Sequence, residues 1–220
     1  MRLPAAVLWD MDGTLLDSEK IWDIPLYEAA ERLGGRLSLP ARQAMVGSNV
    51  PTTLDILVTD LGLVPDEADL ADTAAFIDKR MAELMSGPLP FQPGAVEALA
   101  LVRSTGLPTA LVTSTERALT DLALPTLDPA NFDIIICGDE VDGLTKPHPE
   151  PYRRAARALG VPPHTCLAIE DSPTGTQSAE SAGCQVIVIP SEVPVPPGPR
   201  RTFRKSLVGL TFSDLEAAFS

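Results

Sequence analysis

Basic residues are scarce in this chain of 220 residues: 17 lysines and arginines stand against 30 acidic residues, a net charge of −13. This deficit argues against a general nucleic-acid binder, whose affinity comes mostly from Lys and Arg on phosphates, and against binding to an anionic membrane surface. No run reaches the roughly 18 consecutive apolar residues of a membrane span. Asp10 is acidic and the residues before it do not form the apolar region of a signal peptide, so no signal peptide is predicted. We expect a cytoplasmic protein with neither nucleic acid nor membrane as a partner.

Cysteine is also scarce. The three cysteines, Cys137, Cys166 and Cys184, form no CxxC motif, cannot all pair, and lie in or beside apolar runs. They are therefore predicted to be buried, reduced thiols. With 45% hydrophobic and 21% charged residues, the composition is that of a globular protein whose core needs no disulfide or metal for stability. The sequence does not define an oligomeric state, and a monomer is compatible with it.

Short apolar runs recur along the chain with helix-length segments between them. Runs of four to six apolar residues are typical of strands buried on both faces of a parallel sheet. Glycines at 106, 160 and 183 stand where three of the intervening helices should end. This alternation predicts an α/β fold with a doubly wound parallel sheet, whose ligands bind at the carboxyl ends of the strands. The predicted strands are 5–9, 109–112, 132–137, 166–169 and 185–189, and the helices are 93–103, 116–124, 149–159 and 174–182.

Residues 17–91 interrupt this alternation. They contain no convincing strand, but helical patterns cover 19–33, 52–61 and 67–85, and several prolines punctuate them. We interpret this stretch as a helical insertion after the first strand. The predicted organisation is an α/β core of residues 1–16 and 92–220 with a helical domain of residues 17–91.

The C-terminal region carries two further features. Residues 190–199 read PSEVPVPPGP, which is typical of an extended linker, although the PxxP spacing also fits an SH3-type ligand. The basic cluster that follows is predicted to be a solvated surface patch, with a partner site as the alternative. It consists of Arg200, Arg201, Arg204 and Lys205.

Two carboxylates directly follow the first predicted strand, in the segment Trp9-Asp10-Met11-Asp12-Gly13-Thr14. Acidic side chains this close repel each other where a sheet becomes buried, and a divalent cation relieves the repulsion. Hard oxygen ligands completed by water are suited to Mg²⁺. The alternative is an Asp-rich turn in which Gly13 supplies a positive φ.

Later strand ends add complementary groups. Thr113 and Ser114 follow the second strand, Lys146 precedes a helix that begins with proline, and Glu170 and Asp171 follow the fourth strand. Parallel strands direct their carboxyl ends to one edge, so these hydroxyls, the ammonium and the four acids should meet in a small volume.

These segments resemble the four motifs of the haloacid dehalogenase superfamily of phosphatases and phosphotransferases, in the subgroup with a helical cap. DxDGT at 10–14, Thr113, KPHPEP at 146–151 and EDSPTG at 170–175 match in order, and the resemblance covers residues 7–189. It implies a Rossmann-like core with an α-helical cap at 17–91, and a Mg²⁺-dependent phosphatase that works through an aspartyl-phosphate. Beta-phosphoglucomutases and sugar-phosphate phosphatases are the subgroups that the chain resembles.

The resemblance also implies roles for individual residues. Asp10 is the expected nucleophile and Asp12 the general acid and base. Mg²⁺ is expected on the carboxylates of Asp10 and Asp171 and on the backbone carbonyl of Asp12, with Glu170 preferred as a residue beside the metal rather than a ligand.

The same resemblance assigns the groups that bind the phosphoryl oxygens. These are the Thr113 hydroxyl, the Ser114 N–H and Lys146, which also neutralises charge on Asp10. Gly175 is expected to permit a close approach of the backbone.

The chain departs from beta-phosphoglucomutases, which carry a His early in the cap and an Arg after a Gly-rich turn. The corresponding stretches here, 20–22 and 47–49, read Lys-Ile-Trp and Gly-Ser-Asn. Loss of a clamp for a distal phosphate favours hydrolysis of a small phosphorylated metabolite, with sugar phosphates among the candidates. A mutase-like phosphotransferase and a non-catalytic binding protein are the alternatives. Trp22 is expected either to form a wall of the pocket or to pack within the cap.

Overall fold

Six parallel strands form the centre of the protein. The computed structural model describes residues 3–64 and 66–219. The strand order is β3-β2-β1-β4-β5-β6, and each neighbouring pair is parallel, with Val7 in register with Thr109 on one side and Leu167 on the other. This is the predicted doubly wound α/β fold. The strands are β1 (Ala6–Trp9), β2 (Thr109–Val112), β3 (Ile134–Ile136), β4 (Cys166–Glu170), β5 (Gln185–Val188) and β6 (Arg201–Phe203).

Helices connect the strands, and their ends follow local sequence signals. Ser172 caps α8, because its Oγ accepts a hydrogen bond from the Gly175 N–H at 3.0 Å. Gly183 ends the same helix with a φ of 106°, a conformation that favours glycine. The helices of the described chain are α1 (Glu19–Arg32), α2 (Leu39–Ala44), α3 (Val50–Asp60), α4 (Glu67–Met85), α5 (Ala95–Ser104), α6 (Arg117–Leu127), α7 (Glu150–Ala158), α8 (Pro173–Ala182) and α9 (Phe212–Phe219).

Both faces of the sheet are covered, as the continuous apolar strands predict. On β1, Val7 and Trp9 point to a core shared with α5, α6 and α9. Ala6 and Leu8 point to the opposite core, which includes Tyr152 of α7. Since neither face is open to a ligand, the edge formed by the carboxyl ends of the strands is the available location for a site.

The segment of residues 17–91, hereafter the insertion, leaves and rejoins the core at one point. An antiparallel bridge joins Leu16 to Phe91, and the Asp17 N–H donates to the Pro90 carbonyl at 2.8 Å. The insertion contains α1 to α4, of which α2 was not predicted, because its six residues are too few to establish a helical pattern. The division into a core and a helical domain stays a prediction.

The C-terminal region differs from the sequence-based expectation. The basic cluster is a solvated patch only in part: Lys205 is exposed, but Arg201 lies in β6 and its Nε donates to Glu180 Oε2 at 3.0 Å. Arg204 forms an ion pair with Asp214 of α9 at 2.8 Å. The prediction of a solvated patch was wrong for these two arginines, because acidic residues of two distant helices, which no local pattern pairs with them, neutralise their charge.

Two other predictions concern burial and hydropathy. The three cysteines are buried and form no disulfide, which confirms the prediction of reduced thiols. Among the described residues, no helix combines the length and apolar character that crossing a membrane requires.

Candidate active site

The ends of three central strands bring the predicted site residues together. Asp10 directly follows β1, Thr113 follows β2, and Asp171 follows β4. Lys146 reaches the same place from the loop before α7. All four side chains belong to buried residues, although they come from distant parts of the sequence.

Lys146 lies between two carboxylates. Its Nζ is 2.7 Å from Asp10 Oδ1 and 2.6 Å from Glu170 Oε1. Burial acts to lower the pKa of Lys146, but the charges and hydrogen bonds of Asp10 and Glu170 outweigh it and raise the pKa above its ordinary value of 10.5. The ammonium therefore stays charged at any pH at which the protein would work.

Both oxygens of Glu170 are held by other groups. Oε1 accepts hydrogen bonds from Lys146 Nζ and the Tyr152 hydroxyl, each at 2.6 Å, and Oε2 accepts the Asp171 N–H at 3.2 Å. At Gly175 a Cβ atom would lie only 1.9 Å from Glu170 Oε1, so any larger residue there would displace this carboxylate from its partners. These contacts favour the expectation that Glu170 lies beside the metal instead of binding it.

Asp10 is a buried carboxyl with an unusual environment. Burial, followed by the charge of Glu170, raises its pKa to about 7, while Lys146 opposes the rise. Asp10 Oδ2 is buried and has no hydrogen-bond partner among the described residues.

Asp10, Glu170 and Asp171 each place a carboxylate oxygen within 4.8 Å of the others, and Thr14 Oγ1 donates to Asp171 Oδ1 at 3.5 Å. The unsatisfied oxygen of Asp10 and the nearby carboxylate of Asp171 are hard oxygen ligands that fit Mg²⁺, with Glu170 beside them.

If Mg²⁺ binds here, its affinity is expected to rise with pH. Because the metal must displace the proton of Asp10, affinity should fall about tenfold for each pH unit below the pKa of Asp10. In the metal-free protein the protonated form of Asp10 stabilises the fold below its unfolded pKa of 3.8, and this contribution is lost as the pH rises toward about 7. The increase in melting temperature caused by Mg²⁺ should therefore be larger at about pH 8 than at about pH 5.5.

Two asparagine variants provide the comparison for this measurement. Asp10→Asn should show a small, pH-independent shift with Mg²⁺. Asp78→Asn is the matched control, because burial also raises the pKa of Asp78, which lies in α4 outside the acidic group. Equal Mg²⁺-induced shifts for wild type and Asp10→Asn would contradict a metal site on Asp10.

Asp12 is held by four donors from two parts of the chain. Ser18 precedes α1 and Trp22 lies in its first turn. Ser18 Oγ and Trp22 Nε1 donate to Oδ1 at 2.6 and 3.3 Å. Thr115 Oγ1 and Thr113 Oγ1 donate to Oδ2 at 2.7 and 3.4 Å. This arrangement keeps the carboxyl of Asp12 beside Asp10, where it can exchange a proton with a bound group.

A cavity opens above these acids and is closed by the insertion. Asn49 Nδ2 donates to Thr145 Oγ1 at 2.7 Å, and Ser114 Oγ donates to the Gly47 carbonyl at 3.2 Å. Trp22, Leu26 and Val50 line the cavity from the insertion. From the core, its walls include Asp10, Asp12, Thr113, Ser114, Thr115, Asp171 and Ser172.

Sequence reasoning missed a basic residue of this cavity. Arg42 is buried in its wall, where its Nε donates to Asp23 and its Nη2 lies 3.7 Å from Glu192. By contrast, Lys20 lies at the surface with 78% of its side chain exposed. No pattern identifies Arg42, because its position in the cavity depends on how α2 packs.

Other neighbours of the site were also not singled out from the sequence. Thr14 belongs to the DxDGT segment, Thr115 lies two residues after Thr113, and Ser18 lies six residues after Asp12. A hydroxyl close in sequence to a predicted site residue was therefore the available signal. Tyr152 has no such signal.

Comparison with known proteins identifies the family. The family model described as haloacid dehalogenase-like hydrolase matches residues 4–183. CbbY of Rhodobacter capsulatus is 34% identical over 195 residues, which cover 85% of this chain and 86% of that protein. Hexitol phosphatase B of Escherichia coli K12 is 30% identical over 193 residues, or 84% of this chain and 83% of that protein.

A solved structure agrees over nearly the whole chain. It is a mutant CbbY from Rhodobacter sphaeroides in complex with xylulose-1,5-bisphosphate, with a TM-score of 0.80, 26% identity, and coverage of 97% of this chain and 99% of that chain. The chain belongs to the haloacid dehalogenase-like hydrolase family. Its relatives with named activities place this enzyme among the phosphoric monoester hydrolases.

Proposed function

We propose that the protein is a Mg²⁺-dependent phosphatase that hydrolyses a small phosphorylated metabolite, with sugar phosphates as the first candidates, through an aspartyl-phosphate on Asp10. The observation that carries this proposal is the buried Asp10, paired with Lys146 at 2.7 Å and lying in the wall of the cavity. Relatives that act on, or are solved with, phosphorylated sugars and polyols support the substrate class.

In the first step a carboxylate oxygen of Asp10 attacks phosphorus, and the bond from phosphorus to the leaving oxygen breaks. Asp12 donates its proton to that leaving oxygen. Lys146, the Thr113 hydroxyl and the Ser114 N–H stabilise the charge on the phosphoryl oxygens. The products of this step are the free alcohol and phosphorylated Asp10.

In the second step Asp12, now ionised, removes a proton from a water molecule that attacks the same phosphorus. The bond to Asp10 breaks, inorganic phosphate leaves, and Asp12 holds the proton for the next cycle. Mg²⁺, held by Asp10, Asp171 and the carbonyl of Asp12, would neutralise charge on the transferring phosphoryl group.

The insertion would act as the cap that selects the leaving group and excludes water. The contacts of Asn49 and Ser114 across the cavity support a closed arrangement in which substrate is enclosed. Since the insertion supplies apolar as well as polar walls, it can contact the part of the substrate beyond the phosphate.

Hydrolysis is favoured over a mutase-like transfer. A mutase must hold a sugar bisphosphate at both ends, yet Lys20 is at the surface and Asn49 is bonded to Thr145. Arg42 is the basic residue in the cavity wall, but the carboxylates of Asp23 and Glu192 already contact it and compensate its charge. This compensation argues against Arg42 as a clamp for a second phosphate.

The test is a panel of phosphorylated metabolites with Mg²⁺, scored by release of inorganic phosphate. The panel should contain matched mono- and bisphosphates of the same sugars and polyols. We expect phosphate release with accumulation of the free alcohol. Conversion of a monophosphate into its isomer, dependent on added bisphosphate, would instead identify a phosphotransferase, and tight binding without turnover would identify a binding protein.

Trp22→Ala should change which substrates the enzyme prefers. The indole lines the cavity and its N–H contacts Asp12, so its removal enlarges the space around the leaving group. We expect the ratio of kcat/KM values for large and small substrates to change by about tenfold. Trp22→Phe, which keeps most of the ring volume, is the control and should keep the wild-type order. An unchanged order in Trp22→Ala would favour a role in cap packing.

A further inference from the structure

Tyr152 lies under the catalytic lysine although it does not face the cavity. It is fully buried in α7, and its hydroxyl donates to Glu170 Oε1 at 2.6 Å. The same oxygen accepts Lys146 Nζ at 2.6 Å, and Lys146 in turn contacts Asp10. Three hydrogen bonds therefore connect Tyr152 to the proposed nucleophile.

The second carboxylate oxygen of Glu170 is also hydrogen-bonded. Glu170 Oε2 accepts hydrogen bonds from the Asp171 N–H and from Ser172 Oγ, the latter at 3.3 Å. The Lys146 ammonium also lies 5.3 Å from the centre of the Tyr152 ring, within the range of a cation–π contact. Burial, and then the charges of Glu170 and Asp10, raise the pKa of Tyr152 well above 10, so its hydroxyl stays a donor.

We propose that Tyr152 is a positioning residue for the phosphoryl-transfer reaction: its hydroxyl fixes Glu170 Oε1, which holds the Lys146 ammonium against Asp10. The proposal rests on the proposed function for the identity of the reaction. Without the hydroxyl, Lys146 is the remaining side chain on Glu170 Oε1, and the ammonium can move toward Glu170 and away from Asp10.

A purely structural role makes a different prediction. Buried tyrosines commonly satisfy their hydroxyl with some acceptor, and loss of that bond then costs stability but not turnover per folded molecule. Here the acceptor is the oxygen that also binds the catalytic lysine. Displacement of a catalytic group by about 1 Å is sufficient to slow a reaction, so turnover itself should respond.

The first test compares two Tyr→Phe variants. Tyr152→Phe should lower kcat about tenfold with KM changed by less than about threefold, because the charge of Lys146 is kept while its alignment is lost. Tyr27→Phe is the matched control, since Tyr27 is the only other tyrosine in the sequence and lies exposed on α1. It should retain wild-type kcat and KM.

The second test asks whether the effect passes through the lysine. In a Lys146→Met background, Tyr152→Phe should cause no further loss of kcat, because the group that it positions is gone. A crystal structure of Tyr152→Phe should also show Lys146 Nζ moved away from Asp10, a readout that does not depend on turnover.

Three results would overturn the proposal. They are wild-type kcat in folded Tyr152→Phe, an equal additional loss in the Lys146→Met background, and loss of the native circular-dichroism spectrum in Tyr152→Phe, which would make the hydroxyl structural. Failure of the proposed function is separate, because it would appear as absence of phosphate release by the wild type. In that case the crystallographic position of Lys146 still decides the positioning role.

Discussion

Asp10→Asn is expected to lower kcat by about 10⁴-fold or more, because an amide cannot serve as the nucleophile that forms the aspartyl-phosphate. Residual turnover would come from the remaining phosphate-binding groups. Asparagine has nearly the shape of aspartate, and Asp10 is held in the fold by β1 and by one ion pair. The variant should therefore keep its circular-dichroism spectrum and its ability to bind phosphate.

The control for this variant is Asp17→Asn. Asp17 lies seven residues further along the same segment, at the start of the insertion, with 36% of its side chain exposed and only a surface contact to Lys20. It should keep kcat within about twofold of the wild type. If purified Asp10→Asn released phosphate at near the wild-type rate, the covalent mechanism would be wrong.

Lys146→Ala is expected to lower kcat by roughly 10²- to 10³-fold, which is typical of the loss of one preorganised group that stabilises charge in the transition state. Lys146→Arg should recover little of this activity. A planar guanidinium cannot replace the compact ammonium that contacts Asp10 and Glu170 at 2.7 and 2.6 Å.

The stability of the lysine variants must be measured with their activity. Removing the ammonium leaves two buried carboxylates without their cation, a change that costs about 3 to 5 kcal/mol in comparable buried pairs. Kinetics at a temperature below the melting transition separate the two effects. Lys20→Ala, which removes an exposed lysine, is the control and should retain activity and stability. Wild-type kcat/KM in both Lys146 variants would exclude Lys146 from the site.

The sheet and the position of the site follow from short-range features of the sequence. Each of the strands β1 to β5 is a largely apolar run that becomes buried in the sheet. The predicted catalytic, metal-binding and phosphate-binding residues stand at the end of such a run or, in the case of Lys146, just before a proline-initiated helix. In contrast, β6 reads Arg-Thr-Phe and has no apolar pattern. It is a strand because its backbone pairs with β5 at the edge of the sheet.

The side chains that support the site depend on contacts between distant segments. Tyr152 of α7 reaches Glu170, which lies 18 residues away at the end of β4, and Arg42 of the insertion reaches Glu192. Neither residue stands in a pattern that distinguishes it from an ordinary core tyrosine or surface arginine. Their positions follow from packing between elements, which a single sequence does not encode as a local signal.

Detection of phosphorylated Asp10 during turnover tests the central claim most directly. Wild-type enzyme with Mg²⁺ should be mixed with its best substrate from the panel, quenched in acid within the first turnover, and digested with trypsin. The peptide of residues 3–20 should carry one phosphoryl group, and borohydride reduction should place it on Asp10. The same peptide from Asp10→Asn should remain unmodified. Rapid phosphate release by the wild type with no phosphorylation of this peptide, or with the phosphoryl group on another residue, would contradict the proposed mechanism.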